Sequence, residues 1–289
     1  MAWSLYRWVW RLESPLHIGM APAGNLNRTR LYVPARNLWG TLTEALAQSM
    51  ASVNTFPDYQ RVGDQLKEGI RFSYLFPAEQ EGNEWKAWLP HYKTGAELVW
   101  RREDQTADVA DRTFRTRLLS TRPGTAIAPD SDTAQEATLR EFEVIGPYWR
   151  SNQSVVGLVG YVFVQSSSGS TGTCCQLLGS PPPELLLIGG DTKYGLGRIL
   201  RINCQNANDI FGCKVDLNQN DPVVKSDHIL AHALPPASSN NFKGQYEVIA
   251  GWDYSKQLQS SRDLLCQPGS KTDQQQDWKI LNTGYWQTR

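Results

Sequence analysis

The sequence is poor in cysteine, which limits its covalent and metal chemistry. Its 289 residues include five cysteines, an odd number, and none forms the C-x-x-C pair of zinc or redox sites. We therefore expect reduced thiols and no disulfide framework. His228 and His232 have the spacing that would place two imidazoles on one helical face, with Cys204 or Cys213 to complete a metal site. The surrounding Pro- and Asn-rich residues favour a loop, so we predict neither a metal nor another cofactor.

Long apolar runs and net charge are also absent. No segment approaches the roughly 18 consecutive apolar residues of a membrane span. Residues 1–8 lack the basic start and apolar middle of a signal peptide, so we expect a cytoplasmic protein without membrane contact. Lys plus Arg and Asp plus Glu total 29 each. Any nucleic-acid contact must therefore come from local groups of cations.

The sequence pattern alternates predicted strands with one clear helix. Large apolar residues with period two predict a first strand over residues 6–12, and helical spacing predicts a helix over 35–48. Further strands are predicted over residues 69–76, 85–90, 96–100, 139–144 and 155–164. Beyond Asn203 the sequence becomes polar, and residues 246–252 are its main apolar segment. This order indicates an α+β fold.

Glycine is concentrated in the segment with the strongest functional signal. Residues 185–199 place four glycines, Lys193 and Arg198 directly after an apolar stretch. Because glycine has no Cβ, its backbone N–H groups can approach anionic oxygens closely. Lys193 and Arg198 add positive charge, and Tyr194 offers a ring on which a base can stack. The alternative is a tight turn whose cations only face water.

Three separated parts of the sequence carry a second signal. They are residues 14–19 with 31–42, residues 125–143 and residues 189–198. In this order they resemble the opening motif, the hairpin stem and the glycine-rich loop of the RAMP superfamily of CRISPR-associated proteins. Residues 250–253 and 267–270 are similar to C-terminal elements of some members.

This resemblance implies both a fold and a role. The fold is a ferredoxin-like, RRM-type sheet over residues 1–203 with a protruding β-hairpin thumb at about 101–145. Residues 204–289 form a C-terminal extension that packs on the core. The implied role is a subunit of a type III CRISPR effector complex in antiviral defence, which holds the backbone or 5′ handle of CRISPR RNA. The implied partners are CRISPR RNA, target RNA at the thumb and other effector subunits, without a small-molecule substrate.

The RNA-binding residues are expected in the opening motif, the glycine-rich loop and an arginine-rich segment at residues 101–122. Acidic neighbours of these arginines also allow a solvated hairpin with internal ion pairs. The expected residues are His17, Arg28, Arg30, Arg36, Asn37, Arg115, Arg117, Arg122, Gly189, Gly190, Lys193, Tyr194, Gly195, Gly197 and Arg198.

Catalysis is not expected from the loop after the first strand. Members of the superfamily that cut target RNA carry an aspartate there, whereas residues 19–30 contain no acidic residue. Ala35, Arg36 and Asn37 replace small residues of the family pattern, which favours a handle-binding, type III-D-like subunit. Two alternatives remain: an RNA-processing endoribonuclease with His17 as its base, and a structural subunit whose abundant Trp and Tyr contact other proteins.

Overall fold

The computed structural model describes residues 2–93, 97–166, 183–236, 242–253, 257–261 and 263–289. Its helices are α1 (Ala35–Met50), α2 (Tyr59–Gly69) and α3 (Asp111–Leu118). The strands up to the glycine-rich loop are β1 (Ala2–Leu12), β2 (Leu26–Asn27), β3 (Ile70–Phe72), β4 (Phe76–Glu81), β5 (Glu84–Tyr92), β6 (Leu98–Arg102), β7 (Asp108–Ala110), β8 (Leu119–Gly124), β9 (Ile127–Ala128), β10 (Thr133–Ala134), β11 (Arg140–Ile145), β12 (Gly157–Ser166) and β13 (Leu185–Leu187).

The strands that follow are β14 (Arg198–Asn206), β15 (Asp209–Ile210), β16 (Cys213–Asp216), β17 (Val223–His228), β18 (Tyr246–Glu247), β19 (Ala250–Asp253), β20 (Gln257–Ser260), β21 (Leu265–Cys266), β22 (Lys271–Ile280) and β23 (Trp286–Thr288). Strands dominate, and the expected α+β class is confirmed.

A nine-stranded sheet forms the centre of the protein. Its order is β13-β14-β1-β12-β4-β5-β6-β7, and β3 also pairs with β12. β1 and β3 both run antiparallel to β12, so they are parallel to each other. Parallel strands need a crossover connection, and α1 and α2 lie in it. β1 is central because large side chains that alternate along it, among them Trp8, Trp10 and Leu12, are buried.

Helix α1 matches its sequence prediction, whereas α2 was missed. Leu38, Leu42 and Leu46 recur at four-residue spacing in α1 and are buried. In α2 only Val62 and Leu66 supply buried apolar side chains, so the sequence shows little apolar periodicity. The strand predicted over 69–76 is divided into β3 and the start of β4.

The region predicted as a thumb, at about residues 101–145, contains a helix and a long hairpin. α3 occupies part of the arginine-rich segment that the sequence suggested as a polar hairpin, and its Phe114 stacks on Trp100 with ring centroids 4.5 Å apart. β8 then pairs antiparallel with β11, from Leu119 opposite Ile145 to Gly124 opposite Arg140. The base of this hairpin is buried and its distal half is exposed.

The residues beyond 203 form more regular structure than their polar sequence suggested. β15, β16, β17, β22 and β23 build a five-stranded sheet. Val224, Trp278 and Trp286 from this sheet belong to the same hydrophobic core as the large sheet. Although β22 is rich in glutamine, the buried Trp278 and Ile280 anchor it. The apolar segment at residues 246–252 contains β18 and most of β19.

The sequence hypotheses on histidine and aromatic residues receive structural corrections. His228 ends a strand instead of lying on a helix, so its spacing from His232 does not give a common helical face. Among the described residues no cluster of three potential metal ligands occurs. Cys204, Cys213 and Cys266 are free thiols, and Cys174 and Cys175 lie outside the described residues. Nine of the ten tryptophans whose side chains the structure describes are buried, so these indoles serve mainly the core.

No helix in the described part of the chain is both long and apolar enough to cross a membrane.

Candidate nucleic-acid interface

The start of α1, the glycine-rich loop and the C-terminal region meet around a cleft. We call it the helix cleft; its volume is about 330 Å³, and its lining includes Arg36, Asn37, Thr41, Gly189, Thr192, Gly251 and Tyr285. Three of these residues, Arg36, Asn37 and Gly189, were expected from the sequence. Thr41, Gly251 and Tyr285 were not. Only the tertiary structure brings Gly251 and Tyr285 beside α1.

The N-terminus of α1 gives the helix cleft an anion-binding character. Its N-cap, Pro34, has no side-chain acceptor for the first N–H groups, and the first turn contains no carboxylate. Such a terminus carries partial positive charge and attracts anions. Arg36 adds a guanidinium in the same turn. It packs so closely on the backbone of Gly251 that a Cβ there would lie 3.2 Å from Arg36 Cζ.

The glycines of the loop serve its own fold. Gly189 and Gly197 have φ of +91° and +75°, and a Cβ would come within 2.4 Å of His17 O and 1.9 Å of Ile188 O respectively. The Gly190 N–H donates to His17 O at 2.9 Å, and the Gly197 N–H donates to Pro15 O at 2.8 Å. The Gly195 N–H is also bound within the loop. These N–H groups are therefore already occupied, which corrects the expectation that they approach phosphate.

The side chains of the loop are the groups that face outward. Lys193, Tyr194 and Arg198 are exposed, and 62% of the Tyr194 surface is accessible. Lys193 Nζ lies 5.0 Å from the centroid of the Tyr194 ring. Neither Lys193 nor Arg198 belongs to an ion pair within the described residues. The loop thus presents two cations and an aromatic ring to solvent.

A second cleft lies between this loop and the hairpin stem. We call it the stem cleft; its volume is about 550 Å³, and its lining includes Arg122, Gly124, Arg140, Phe142, Tyr194 and Leu196. Arg122 and Tyr194 were expected from the sequence. Arg140 and Phe142 were missed, although their period-two spacing in a predicted strand places both on one face.

Arg30 has a different role from the expected RNA contact. Its guanidinium forms two hydrogen bonds of 2.8 Å with the carboxylate of Glu247 and one of 3.2 Å with Tyr32 Oη. Only 10% of its side chain is exposed. We therefore assign it to the structure that joins residues 19–30 to the C-terminal region.

Glu247 is the centre of a buried polar network. Besides pairing with Arg30, it accepts a hydrogen bond of 2.6 Å from His232 Nε2, and Tyr74 Oη donates to His232 Nδ1 at 2.6 Å. Burial lowers the pKa of His232, so the imidazole is neutral at pH 7. Burial raises the pKa of Glu247, but hydrogen bonds from His232 and Arg30 outweigh it and bring the pKa to about 2. The network fixes β18 close to the wall of the helix cleft formed by residues 249–251.

His17 lies between the hairpin and the loop. Its Nδ1 is 2.7 Å from Glu143 O, and its ring packs edge-on against Phe142 with centroids 6.1 Å apart. Because a carbonyl oxygen only accepts, Nδ1 carries the proton and Nε2 is the acceptor of the neutral ring. His17 therefore connects the opening motif to β11 through a structural hydrogen bond.

The remaining predicted arginines stand apart from both clefts. Arg115 on α3 donates to Asp111 at 2.7 Å, as the ion-pair alternative for this segment anticipates. Arg117, on the same helix, is half-buried. Arg28, also half-buried, accepts through its backbone oxygen a hydrogen bond from Met20 N. The structure does not bring these three side chains together with the glycine-rich loop.

The fold resembles that of chains in solved structures. One chain of type III-B Cmr-beta, solved by cryo-electron microscopy bound to cognate target RNA and AMPPnP, has a TM-score of 0.52 at 12% identity. The match covers 92% of this chain and 85% of that one. Chains of Cmr-beta bound to cognate target RNA and of its apo state have TM-scores of 0.42 and 0.43, at 10% and 8% identity. These two matches cover 68% and 69% of this chain and 96% of each of those chains.

No protein-family model and no curated protein matches the sequence. The match with a TM-score of 0.52 shows that the protein shares its fold with a chain of type III-B Cmr-beta.

Proposed function

We propose that this protein is a non-catalytic subunit of a type III CRISPR effector complex that binds CRISPR RNA. The observation that carries the proposal is the position of the glycine-rich loop, which lines the helix cleft at Gly189 and Thr192 and the stem cleft at Tyr194 and Leu196. Lys193, Tyr194 and Arg198 of this segment are exposed. Similarity to a chain of type III-B Cmr-beta bound to target RNA supports membership in such a complex.

The charge distribution supports a nucleic-acid contact on this side of the molecule. Two largely buried arginines away from this side are neutralised, Arg7 by Glu103 and Arg71 by Asp221. Among the described residues, the ion pairs include none of the cations of the loop and stem, namely Arg122, Arg140, Lys193 and Arg198. In a chain without net charge, these four cations can therefore attract phosphates to the loop and the stem.

The strand order supports the ferredoxin-like part of the proposal. Read across the sheet, β14-β1-β12-β3 is antiparallel, and β1 and β3 are joined by a crossover through α1. This order is the one expected of the split βαβ unit in a ferredoxin-like sheet, and it supports that part of the proposal. Residues 167–182, which connect β12 to β13, lie outside the described part.

The finer role rests on α1 and on the hairpin. Arg36 and Asn37 at the start of α1 support a handle-binding, type III-D-like subunit, because a 5′ handle would present phosphates to the N-terminus of this helix. Ile127 and Leu139 near the hairpin tip are 58% and 67% exposed, which supports contact of the thumb with target RNA or a neighbouring subunit. The lack of an acidic residue in 19–30 supports a non-catalytic role.

Salt-dependent binding of RNA tests the proposal. We expect the full chain to bind single-stranded RNA, and K193A/R198A to weaken this binding. If both cations contact phosphates, the slope of log K against log salt becomes less steep by about 1.4, because each contact with a single strand contributes about 0.7. Fluorescence anisotropy over a salt series measures both quantities.

The double variant R61A/K214A is the matched control. It removes the same charge from exposed positions on α2 and β16, and we expect its salt slope to equal that of the wild type. Equal slopes for all three proteins would contradict the proposed contact. Purification of the assembled complex provides a second measurement, since a short RNA of uniform 5′ end should accompany the wild-type subunit.

A further inference from the structure

The stem cleft combines an exposed aromatic ring with unpaired cations. Tyr194 stands on one side, and Arg122, Arg140 and Phe142 of the hairpin stem stand on the other, with the buried Leu196 beneath. An exposed aromatic side chain gains little from the fold of its own protein, whereas the face of its ring can stack on a planar ligand.

The backbone that carries Tyr194 is held in a defined conformation. This residue ends the short 3₁₀ turn Thr192–Tyr194, which lies between two residues in the left-handed conformation, Asp191 (φ 56°) and Gly195 (φ 82°). The Tyr194 N–H donates to Asp191 O at 2.9 Å. Binding a ligand costs less conformational entropy when the side chain stands on a constrained backbone than when it stands on an unconstrained loop.

The hairpin stem supplies positive charge and leaves space for a ligand between itself and the Tyr194 ring. Arg140 Cζ lies 5.8 Å from the centroid of the Tyr194 ring, while Arg122 pairs with Phe142 across β8 and β11. Opposite Arg140 stands Gly124, where a Cβ would lie 3.4 Å from both Arg140 Nε and Phe142 Cε1. A larger side chain at this position would narrow the space between the stem and the ring.

The threonine hydroxyl groups of the lining are used inside the hairpin. Thr125 and Thr138 share a hydrogen bond of 2.9 Å, and Thr138 Oγ1 also accepts from Ala126 N and donates to Gln135 O. These groups are therefore poorly placed to read the hydrogen-bonding edge of a base. A ligand in the stem cleft would be recognised by the face of its ring and by its negative charge.

We propose that the stem cleft binds one unpaired RNA nucleobase, stacked on Tyr194, with its flanking phosphates near Arg122 and Arg140. This inference rests on the proposed RNA-binding function and adds a base-binding site to it. Since every base has a π face, the site accepts any base in preference to an abasic position.

Two fluorescent RNA 10-mers with equal numbers of phosphates separate base stacking from phosphate contact. One is oligouridine and the other lacks all its bases. We expect the full wild-type chain to bind oligouridine about tenfold more tightly than the abasic strand, in the range of base–aromatic stacking. Y194A should remove this preference and keep the affinity for the abasic strand, whereas Y194F should retain the preference. Tyr148, another exposed tyrosine, provides the control Y148A, which should behave as the wild type.

The outcomes separate the two proposals. If Y194A keeps the preference for oligouridine, or weakens binding of both strands equally, the stacking site is refuted and the RNA-binding function stands. If the wild type binds neither strand, the proposed function fails, and the base-binding site fails with it.

Discussion

The substitution Glu247→Gln tests whether the buried polar network fixes the C-terminal region on the core. Glutamine has nearly the same shape as glutamate but no charge, so Arg30, 10% exposed, would keep only a neutral partner. The pKa of Glu247 is lowered from 4.5 to about 2. A shift of this size favours the ionised carboxylate by about 3 kcal/mol. We therefore expect E247Q to lower the free energy of unfolding by about 3 kcal/mol at pH 7.

The sign of the pH dependence follows from the direction of this shift. Because the pKa of Glu247 is lower in the folded protein, its contribution is complete above pH 4.5 and decreases as pH falls towards 2. At pH 3.5 about 1.4 kcal/mol of it should be lost, and the difference between wild type and E247Q should shrink by that amount. Burial also lowers the pKa of His91 and His228, but these residues do not contact Glu247, titrate in both proteins and cancel in the difference. His232 does not cancel, because Glu247 raises its pKa, and its titration opposes the loss of the Glu247 contribution.

Urea unfolding followed by tryptophan fluorescence, at pH 7 and pH 3.5, measures both effects. The matched control is E81Q, which neutralises a 59% exposed carboxylate paired with Arg102. Exposed pairs contribute about 0–1 kcal/mol, so E81Q should differ little from the wild type. An E247Q protein as stable as the wild type at pH 7 would refute the network's role, as would a difference that stays constant down to pH 3.5.

Two further predictions concern the opening motif and the loop. H17A should leave RNA cleavage unchanged in assays of precursor and target RNA by the assembled complex, because we assign His17 a structural hydrogen bond; loss of cleavage would favour the endoribonuclease alternative. G197A should destabilise the protein by more than about 2 kcal/mol in urea, since its Cβ would lie 1.9 Å from Ile188 O. G195A, with nothing within 4 Å of its Cβ, should cost only about 1 kcal/mol, and equal effects would contradict this reasoning.

Secondary structure was predictable where one residue pattern dominated. Strand β1 and helix α1 follow from alternating large side chains and from the leucines of α1, since each pattern buries one face of its element. Helix α2 and strand β22 have few apolar residues, and their stability comes from Val62, Leu66, Trp278 and Ile280 packing against distant parts of the chain. No local pattern reveals such distant partners.

The residues of the candidate site were also predictable from the sequence only in part. The sequence by itself determined that Lys193, Tyr194 and Arg198 follow an apolar strand in a glycine-rich turn, because glycine at these positions permits backbone conformations that other residues resist. Only the tertiary structure decided that Arg30 is paired with Glu247, and that Arg140 faces Tyr194 across the stem cleft. These contacts join residues more than 50 positions apart, and which cation keeps its charge free for a ligand depends on the carboxylates that folding brings to it.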